Sequence, residues 1–293
     1  MNFVITADWH IRSNLPRCRK DNDWYETQWK AMEQIKDFAN EKQCPIFIVG
    51  DIFHSNGETS FYCIQMIQKL ARKTKCGIYL LAGNHDLIFH SSENIERSAI
   101  GILMRSKKIK QIKDYFIENE IDDFSAGNFD EETEDKKIIF KHVLCFPDMK
   151  SLPPNVDAMT AKDLLEEYPH SKWIFTGDMH KNFHYEKNGR HVVNPGCLLR
   201  QAVDFKDYKT GFYYVDIDKN IVDFNFIIDN EEFVDDSYIL REKEKEERIE
   251  AFANKVGEVE SVSLDYSENV KRAMQTSDLS AELVETIEEL MGV

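Results

Sequence analysis

The sequence predicts an α/β protein, built on parallel strand–helix–strand units and followed by a small helical appendage. Between Phe3 and Asp86, short β-branched apolar runs alternate with segments whose apolar residues recur at helical spacing. That alternation is the mark of parallel βαβ units with right-handed crossovers. Past residue 235 the strand-like runs stop, and highly charged segments with apolar stripes take over. The boundary divides the chain into a main domain over 1–234 and an acidic helical region over 235–293.

Phe3-Val4-Ile5-Thr6 reads as a short buried strand. From Trp24 to Glu41, the residues Tyr25, Trp29, Met32, Ile35, Phe38 and Ala39 recur at helical spacing. Pro45-Ile46-Phe47-Ile48-Val49 is a second strand, and a helix from Thr59 to Arg72 buries Ile64, Ile67 and Leu70. Gly77-Ile78-Tyr79-Leu80-Leu81-Ala82 is a third strand. Residues 118–135, acidic and poor in aliphatics, read as a solvated loop. Ile138 to Val143 forms another strand, Thr160 to Tyr168 a short helix, and Trp173-Ile174-Phe175-Thr176 a further strand. From His191 to Ile228 the pattern is of successive short strands, with turns at Asn194-Pro195-Gly196 and Asp218-Lys219-Asn220. Two charged helices are expected at the end. Arg241 to Val256 carries the stripe Ile249, Phe252, Ala253 and Val256. Leu279 to Met291 carries Leu279, Leu283, Ile287 and Leu290, with Ser277-Asp278 as its N-cap.

Composition narrows the function classes. With 293 residues, 42% of them hydrophobic and 12% aromatic, the chain can bury a sizeable core. It has no apolar run of the length, about 18 residues, that a membrane span needs. The opening Met1-Asn2-Phe3-Val4-Ile5-Thr6-Ala7 is too short and too poor in basic residues for a signal peptide. The six cysteines are scattered, so reduced thiols and a cytoplasmic location are expected. The net charge of −16 argues against a polyanionic substrate until its distribution is considered. Residues 231–293 hold 18 acidic and 7 basic side chains, and residues 118–135 hold 9 acidic and none basic. What remains carries +4. The acidity lies in one loop and the tail, and the body is mildly basic.

Five clusters of metal-ligating residues lie in that body: Asp8-Trp9-His10, Gly50-Asp51-Ile52-Phe53-His54, Gly83-Asn84-His85-Asp86, His142, and Gly177-Asp178-Met179-His180. Four of them directly follow a predicted strand, and His142 lies near the end of one. In an extended chain residues i and i+2 face the same way, so Asp8 with His10, and Asp178 with His180, can each converge on one point. Taken singly, each cluster has an ordinary explanation. An Asp after a strand is common in turns, Asn84-His85-Asp86 could be an Asx-turn with a solvated histidine, and His142 could be a hydrogen-bonded core residue. Together, in order and at strand ends, they deliver carboxylate, imidazole and amide groups to one sheet edge, where a pair of divalent cations could be held. Metal-dependent phosphoester hydrolysis is the chemistry this predicts.

The order and wording of the clusters resemble the calcineurin-like metallophosphoesterases. Within that group they are similar to the SbcD-type nuclease subunit of the double-strand-break repair machinery, phage-encoded members included. The resemblance rests on Thr6-Ala7-Asp8-Trp9-His10, Gly50-Asp51-Ile52-Phe53-His54, Gly83-Asn84-His85-Asp86 and Asn194-Pro195-Gly196, and covers residues 1–215. Protein phosphatases of the wider group usually continue the second motif with Asp-Arg-Gly, where this chain has His54-Ser55-Asn56.

The resemblance implies a two-sheet sandwich flanked by helices and a pair of divalent metal ions, Mn²⁺ first and Mg²⁺ as the alternative. One ion would be held by Asp8, His10, Asp51 and His180, the other by Asp51, Asn84, His142 and Asp178. His85 would stand beside the scissile phosphate as proton donor or charge stabiliser, assisted by His54. The chain departs from the family's usual Gly-His-x-His in its fifth motif, where Asp178 replaces the first histidine. A carboxylate there still suits a hard cation. The implied function is a DNA exonuclease and endonuclease working with an SbcC-like coiled-coil ATPase. Lys107-Lys108-Ile109-Lys110 is a candidate phosphate contact, with a solvated charged face as its ordinary reading. The acidic C-terminal helices are a candidate docking element for the ATPase or for a second copy of the chain, with a helical appendage packed on its own domain as their ordinary reading. The rival readings are a small-nucleotide phosphodiesterase or phosphatase, and a non-catalytic metal-stabilised binding subunit.

Overall fold

Strand β1 (Asn2–Thr6) pairs in parallel with β2 (Ile46–Val49), which pairs with β3 (Ile78–Leu81), and β3 with β4 (Ile109–Gln111). On its other side β1 pairs antiparallel with β12 (Gly211–Asp216), which pairs antiparallel with β13 (Ile221–Phe226). A second sheet has the order β10 (Phe183–Lys187), β11 (Arg190–Asn194), β9 (Trp173–Gly177), β6 (Ile138–His142) and β5 (Phe124–Gly127). Its pairs are parallel except the β10–β11 hairpin. The short β7 (Cys145–Phe146) and β8 (Met159–Thr160) form a separate parallel pair. These elements come from a computed structural model. It describes residues 1–229 except 57–58, 106–107, 153–155 and 157, and beyond them 234–235, 237, 239, 243, 245–249, 251, 270–271, 273–275 and 279–291.

Period-2 alternation explains how the layers stack. Phe3 and Ile5 of β1, Phe47 and Val49 of β2, and Val215 of β12 meet Phe140, Phe175 and Val193 of the second sheet in one apolar layer. Val4, Ile46, Ile48, Ile78 and Leu80 point the other way, onto the helices α1 (Trp24–Lys42), α2 (Phe61–Lys73) and α3 (Ala99–Met104). The outer face of the second sheet, with Ile139, Ile174 and Val192, is covered by Leu164 and Leu165 of α5 (Ala161–Glu167). The result is the two-sheet sandwich between helices that the resemblance implies. Strands apolar on both faces are what such burial requires.

Local signals set the helix ends. The Asp23 carboxylate accepts from the Glu26 N–H and starts α1, and Ser60 caps α2 in the same way. Thr160 and Asp163 exchange hydrogen bonds in a capping box at the start of α5.

Three sequence expectations need correction. Residues 118–135 are not one solvated loop, because Phe124–Gly127 forms β5, parallel to β6. Phe124 stacks on Phe116 of α4 (Ile112–Glu118) with ring centroids 4.5 Å apart, and Ile121 and Ala126 also pack on the inner core. The acidic residues on either side mask this short apolar alternation. The run from His191 to Ile228 is not all strand: residues 197–210 lack strand structure and contain a single helical turn at Val203–Phe205. Their backbone is occupied elsewhere, with the Cys197 and Leu198 N–H groups donating to His180 O and Asp8 O. The candidate phosphate contact is also altered. Ile109 is buried in β4 and Lys110 pairs with Glu118 at 2.6 Å, while Lys107 lies outside the described residues.

Contacts divide the chain into Met1–Val234 and Asp235–Val293. The second unit has a small core of its own, in which Leu283 and Ile287 of α6 (Ala281–Met291) pack with Val270 and Ala273. Of the expected stripe on α6, Leu290 is instead 75% exposed. Most of the predicted helix from Arg241, including its positions 252–256, and the Ser277-Asp278 cap lie outside the described residues. All six cysteines are free. Among the described residues, no helix is long and apolar enough to cross a membrane.

Candidate metal centre

The C-terminal ends of β1, β2, β3, β6 and β9 come together, so the clusters draw on both sheets and not on one edge of a single sheet. The reason for convergence within the first cluster also differs from the sequence argument. Asp8 and His10 are not extended; they sit at φ 49° and 44°, in the left-handed region. Asp51 at 53° and Asp178 at 78° share it. Each turn is held from outside: Asp8 N–H donates to Gly50 O at 3.1 Å and His10 N–H to Asp51 O at 3.0 Å. Between the two ligands the buried Trp9 joins the helix-side core, its indole N–H donating to Thr6 Oγ1 at 2.9 Å.

The donor atoms crowd one small volume. His10 Nε2 and His180 Nε2 are 3.0 Å apart. Asp51 Oδ2 lies 3.7 Å from His10 Nε2 and 3.4 Å from His142 Nε2. His142 Nε2 is in turn 3.1 Å from Asn84 Oδ1 and 4.0 Å from Asp178 Oδ1. One group of mutually close ligand atoms comprises Asp8, His10 and His180, another Asp8, Asp51 and His142. The fit to cations rests on what these atoms lack. Asp8 Oδ2 and Asp51 Oδ2 are buried with no hydrogen-bond partner. A buried carboxylate oxygen without a donor costs several kcal/mol, and such charges are paired or bind metals. The oxygen and nitrogen donor set suits hard and borderline divalent ions.

Neighbouring groups aim the ligands. His142 Nδ1–H donates to Val49 O at 2.8 Å, which turns Nε2 toward Asp51 and Asn84. A side chain at Gly50 would overlap the His142 ring, and one at Gly83 would overlap the Asp51 carboxylate. Glycine at these two positions is what lets the loops approach. His85 N–H donates to Asp51 Oδ1 at 2.9 Å, and His85 Nδ1–H to His54 O at 2.7 Å. The His85 ring stands 4.8 Å from the His10 ring, and His10, His54 and His85 form a further group close enough to hold an ion. His54 Nε2 accepts from Arg12 Nη1 at 3.0 Å. Burial, then Arg12 and His85, pull the His54 imidazole down to about 4, so it stands neutral.

The sequence reading missed the roles of three supporting residues. Asp86 is 1% exposed and accepts from the N–H groups of Ile52, Phe53 and Gly83 at 3.2, 3.0 and 3.1 Å. It thereby ties two ligand-bearing loops together. Its place inside the third cluster was the signal; its role shows only once the second loop lies against it. Asn194 donates to Met179 O and Lys181 O and holds the fifth loop. Arg12, two positions after His10, has no signal of its own in the sequence. With His10, His54, His85 and His180 it lines a cleft of about 200 Å³, whose other side is Leu199, Ala202 and Phe205.

Two predictions arise here. Asp86→Ala leaves three buried N–H groups without an acceptor, and should cost about 3 kcal/mol of stability in urea denaturation of the metal-free chain. A cost below about 1 kcal/mol would remove its tying role. The second concerns protons. Burial pulls the His142 imidazole down, but Asp51, Asp8 and Asp178 overcome this and push it up to about 10. Burial likewise pushes the Asp8 carboxyl well up, with Asp51 and Asp178 adding to it against the pull of His142. A cation must displace the His142 proton, so metal affinity should rise with pH, by up to roughly tenfold per unit between pH 6 and 8. Metal titrations giving one affinity across that range would contradict the assignment of His142 as a ligand.

Residues 1–200 match the family model described as calcineurin-like phosphoesterase, and the chain belongs to that family, whose members are phosphoester hydrolases that generally bind divalent metals. A comparison with curated protein sequences returns no match. Among solved structures the chain is similar to an archaeal phosphodiesterase, at 13% identity and TM-score 0.41, over 77% of this chain and 99% of the other. It is also similar to a Streptococcus pneumoniae protein described as a predicted phosphoesterase, at 13% identity and TM-score 0.36, over 77% and 87% of the two chains. Vacuolar protein sorting 29 from Cryptosporidium parvum is 16% identical, with TM-score 0.32, over 77% and 95%.

Proposed function

We propose that this protein is a DNA nuclease, cutting phosphodiester bonds with a pair of divalent cations, Mn²⁺ first among them. The observation that carries the reading is Asp51 Oδ2, buried without a donor and set between His10 and His142. Asp8, His10, Asp51 and His180 would hold one ion, and Asp51, Asn84, His142 and Asp178 the other. When bound, such a pair supplies neutralisation of phosphate charge and a nucleophile drawn from water near neutral pH.

The remaining steps fall to this chain's side chains. His85, fixed through Nδ1 by His54 O, keeps Nε2 for the proton that a departing oxygen takes up. Arg12, held against His54, is a cation at the cleft for a phosphate oxygen. Phe205 and Leu199 offer an apolar wall on which a base can stack, and Lys181 Nζ lies 5.8 Å from the Phe205 ring centre. Aromatic and cationic groups beside the ligands favour a nucleic-acid strand, as does the mildly basic body.

A second reading, hydrolysis of a small phosphodiester, is favoured by the −16 net charge and the 200 Å³ cleft. Cleavage of linear DNA, a cyclic dinucleotide and a chromogenic phosphodiester, with Mn²⁺ and with chelator, separates the two. Metal-dependent DNA cleavage is expected. Turnover of the cyclic dinucleotide alone would replace the nuclease reading, and no turnover of any substrate would leave a metal-stabilised binding protein. An SbcC-like coiled-coil ATPase is the proposed partner, docking on residues 235–293. Deleting 236–293 should abolish co-elution with such a partner and spare hydrolysis of the chromogenic ester; unchanged co-elution would reject the assignment.

A further inference from the structure

A second set of ligating side chains lies outside this centre, on the β10–β11 hairpin. His184 and Glu186 are two apart on β10 and share one face of it. His191 is the cross-strand partner of Glu186 in the antiparallel ladder and points to that same face. Phe183, Tyr185 and Val192 occupy the opposite face, against α5. The hairpin register therefore sets two imidazoles and a carboxylate side by side. Their ligand atoms lie within 4.8 Å of one another.

The details go beyond chance proximity. His191 is 1% exposed and stacks on Trp173 with ring centroids 4.1 Å apart and planes 12° from parallel. Its Nε2 lies 3.1 Å from Asn220 Oδ1, an oxygen that can only accept, so Nε2 carries the proton. That leaves His191 Nδ1 as a bare lone pair, and His184 Nε2 stands 3.0 Å from it. A ring held by stacking and by a hydrogen bond from its far nitrogen is the arrangement that orients metal-binding histidines. Desolvation holds both imidazoles below their ordinary range, at the buried His191 and in part at the more open His184, where His191 adds to it, which keeps them neutral and able to donate lone pairs. His184 and Glu186 are exposed, so an ion can reach the group from solvent.

We propose that His184 Nε2, His191 Nδ1 and a Glu186 carboxylate oxygen form a separate site for a zinc-class transition-metal ion. Two imidazoles and one carboxylate, with positions left open to water, are a donor set that Zn²⁺ accepts. The softer nitrogen share distinguishes it from the carboxylate-rich centre, which suits Mn²⁺ or Mg²⁺. An ion here fastens the edge strand β10 to β11. Asn194, the last residue of β11, holds the loop that carries Asp178 and His180.

The inference does not depend on the nuclease reading, and its test does not require a substrate. Zn²⁺ bound per chain is counted by equilibrium dialysis for the full-length protein and for the double variant His184→Ala/Glu186→Ala. Both positions are exposed, and far-UV circular dichroism with a thermal melt checks that the variant is folded. The wild type should bind one Zn²⁺ more than the variant. The single change His184→Ala should weaken that extra ion by roughly 10–100-fold. An equal count in both proteins would overturn the site, leaving a plain hydrogen bond from His184 to His191 beside a solvated glutamate. Asp51→Asn in the same assay must keep the extra ion. Its loss there would assign the ion to the main centre and overturn the proposal equally.

Discussion

Asp51→Asn should leave the chain folded, with fewer than two Mn²⁺ bound and turnover lowered by roughly 10³-fold or more. Loss of one preorganised group that stabilises developing charge already costs about 10²–10³. Here the lost charge faces both halves of the centre, since Oδ2 lies within 4 Å of His10 and of His142. Asparagine keeps the shape, keeps an oxygen for the His85 N–H, and tolerates the backbone angle of 53° found at this position. What disappears is the negative charge. Metal content by mass spectrometry and hydrolysis of a chromogenic phosphodiester are the two measurements. A variant with two ions and normal turnover would show that the cations, if they bind, do not share this carboxylate.

His85→Ala should give the complementary result, with both ions retained and turnover down by about 10²–10⁴, the usual contribution of a positioned proton donor. The imidazole is committed at Nδ1 to His54 O and opens into the cleft through its other nitrogen. The loss should shrink for a substrate whose leaving group needs no proton, such as a nitrophenolate. A drop in metal content would instead make His85 a ligand, in the company of His10 and His54.

The strands bearing the site were legible because each is an apolar run ended by a glycine or a polar ligand. Phe47 and Ile48 on β2 pack into different cores, and it is this burial on both faces that writes a continuous apolar signal. The five clusters were legible for the same reason, being abrupt breaks at strand ends. The assembly from two sheets was not, since nothing in the run Ile138–His142 tells which sheet it joins. Edge strands were hard as well. Phe124–Gly127 has one neighbour and lies among acidic residues, and Phe183–Lys187 alternates half-buried Phe183 and Tyr185 with exposed His184 and Glu186. Asp86 shows a further limit: three of its hydrogen bonds go to backbone N–H groups, and two of those lie more than 30 positions away.

The left-handed turns at Asp8, His10, Asp51 and Asp178 bear on how this protein is to be dissected. Outside glycine, asparagine and aspartate enter that region most readily, while β-branched residues resist it by roughly 1–3 kcal/mol. A valine or threonine scan there would unfold loops and mimic a chemical defect. At the three aspartates isosteric amides hold the scaffold still, so their phenotypes report on the lost charge and ligand oxygen rather than on the backbone. The same geometry narrows the sequences that natural drift or laboratory evolution can explore at these corners. Swapping one liganding group for another is a question of torsion angles before it is one of affinity.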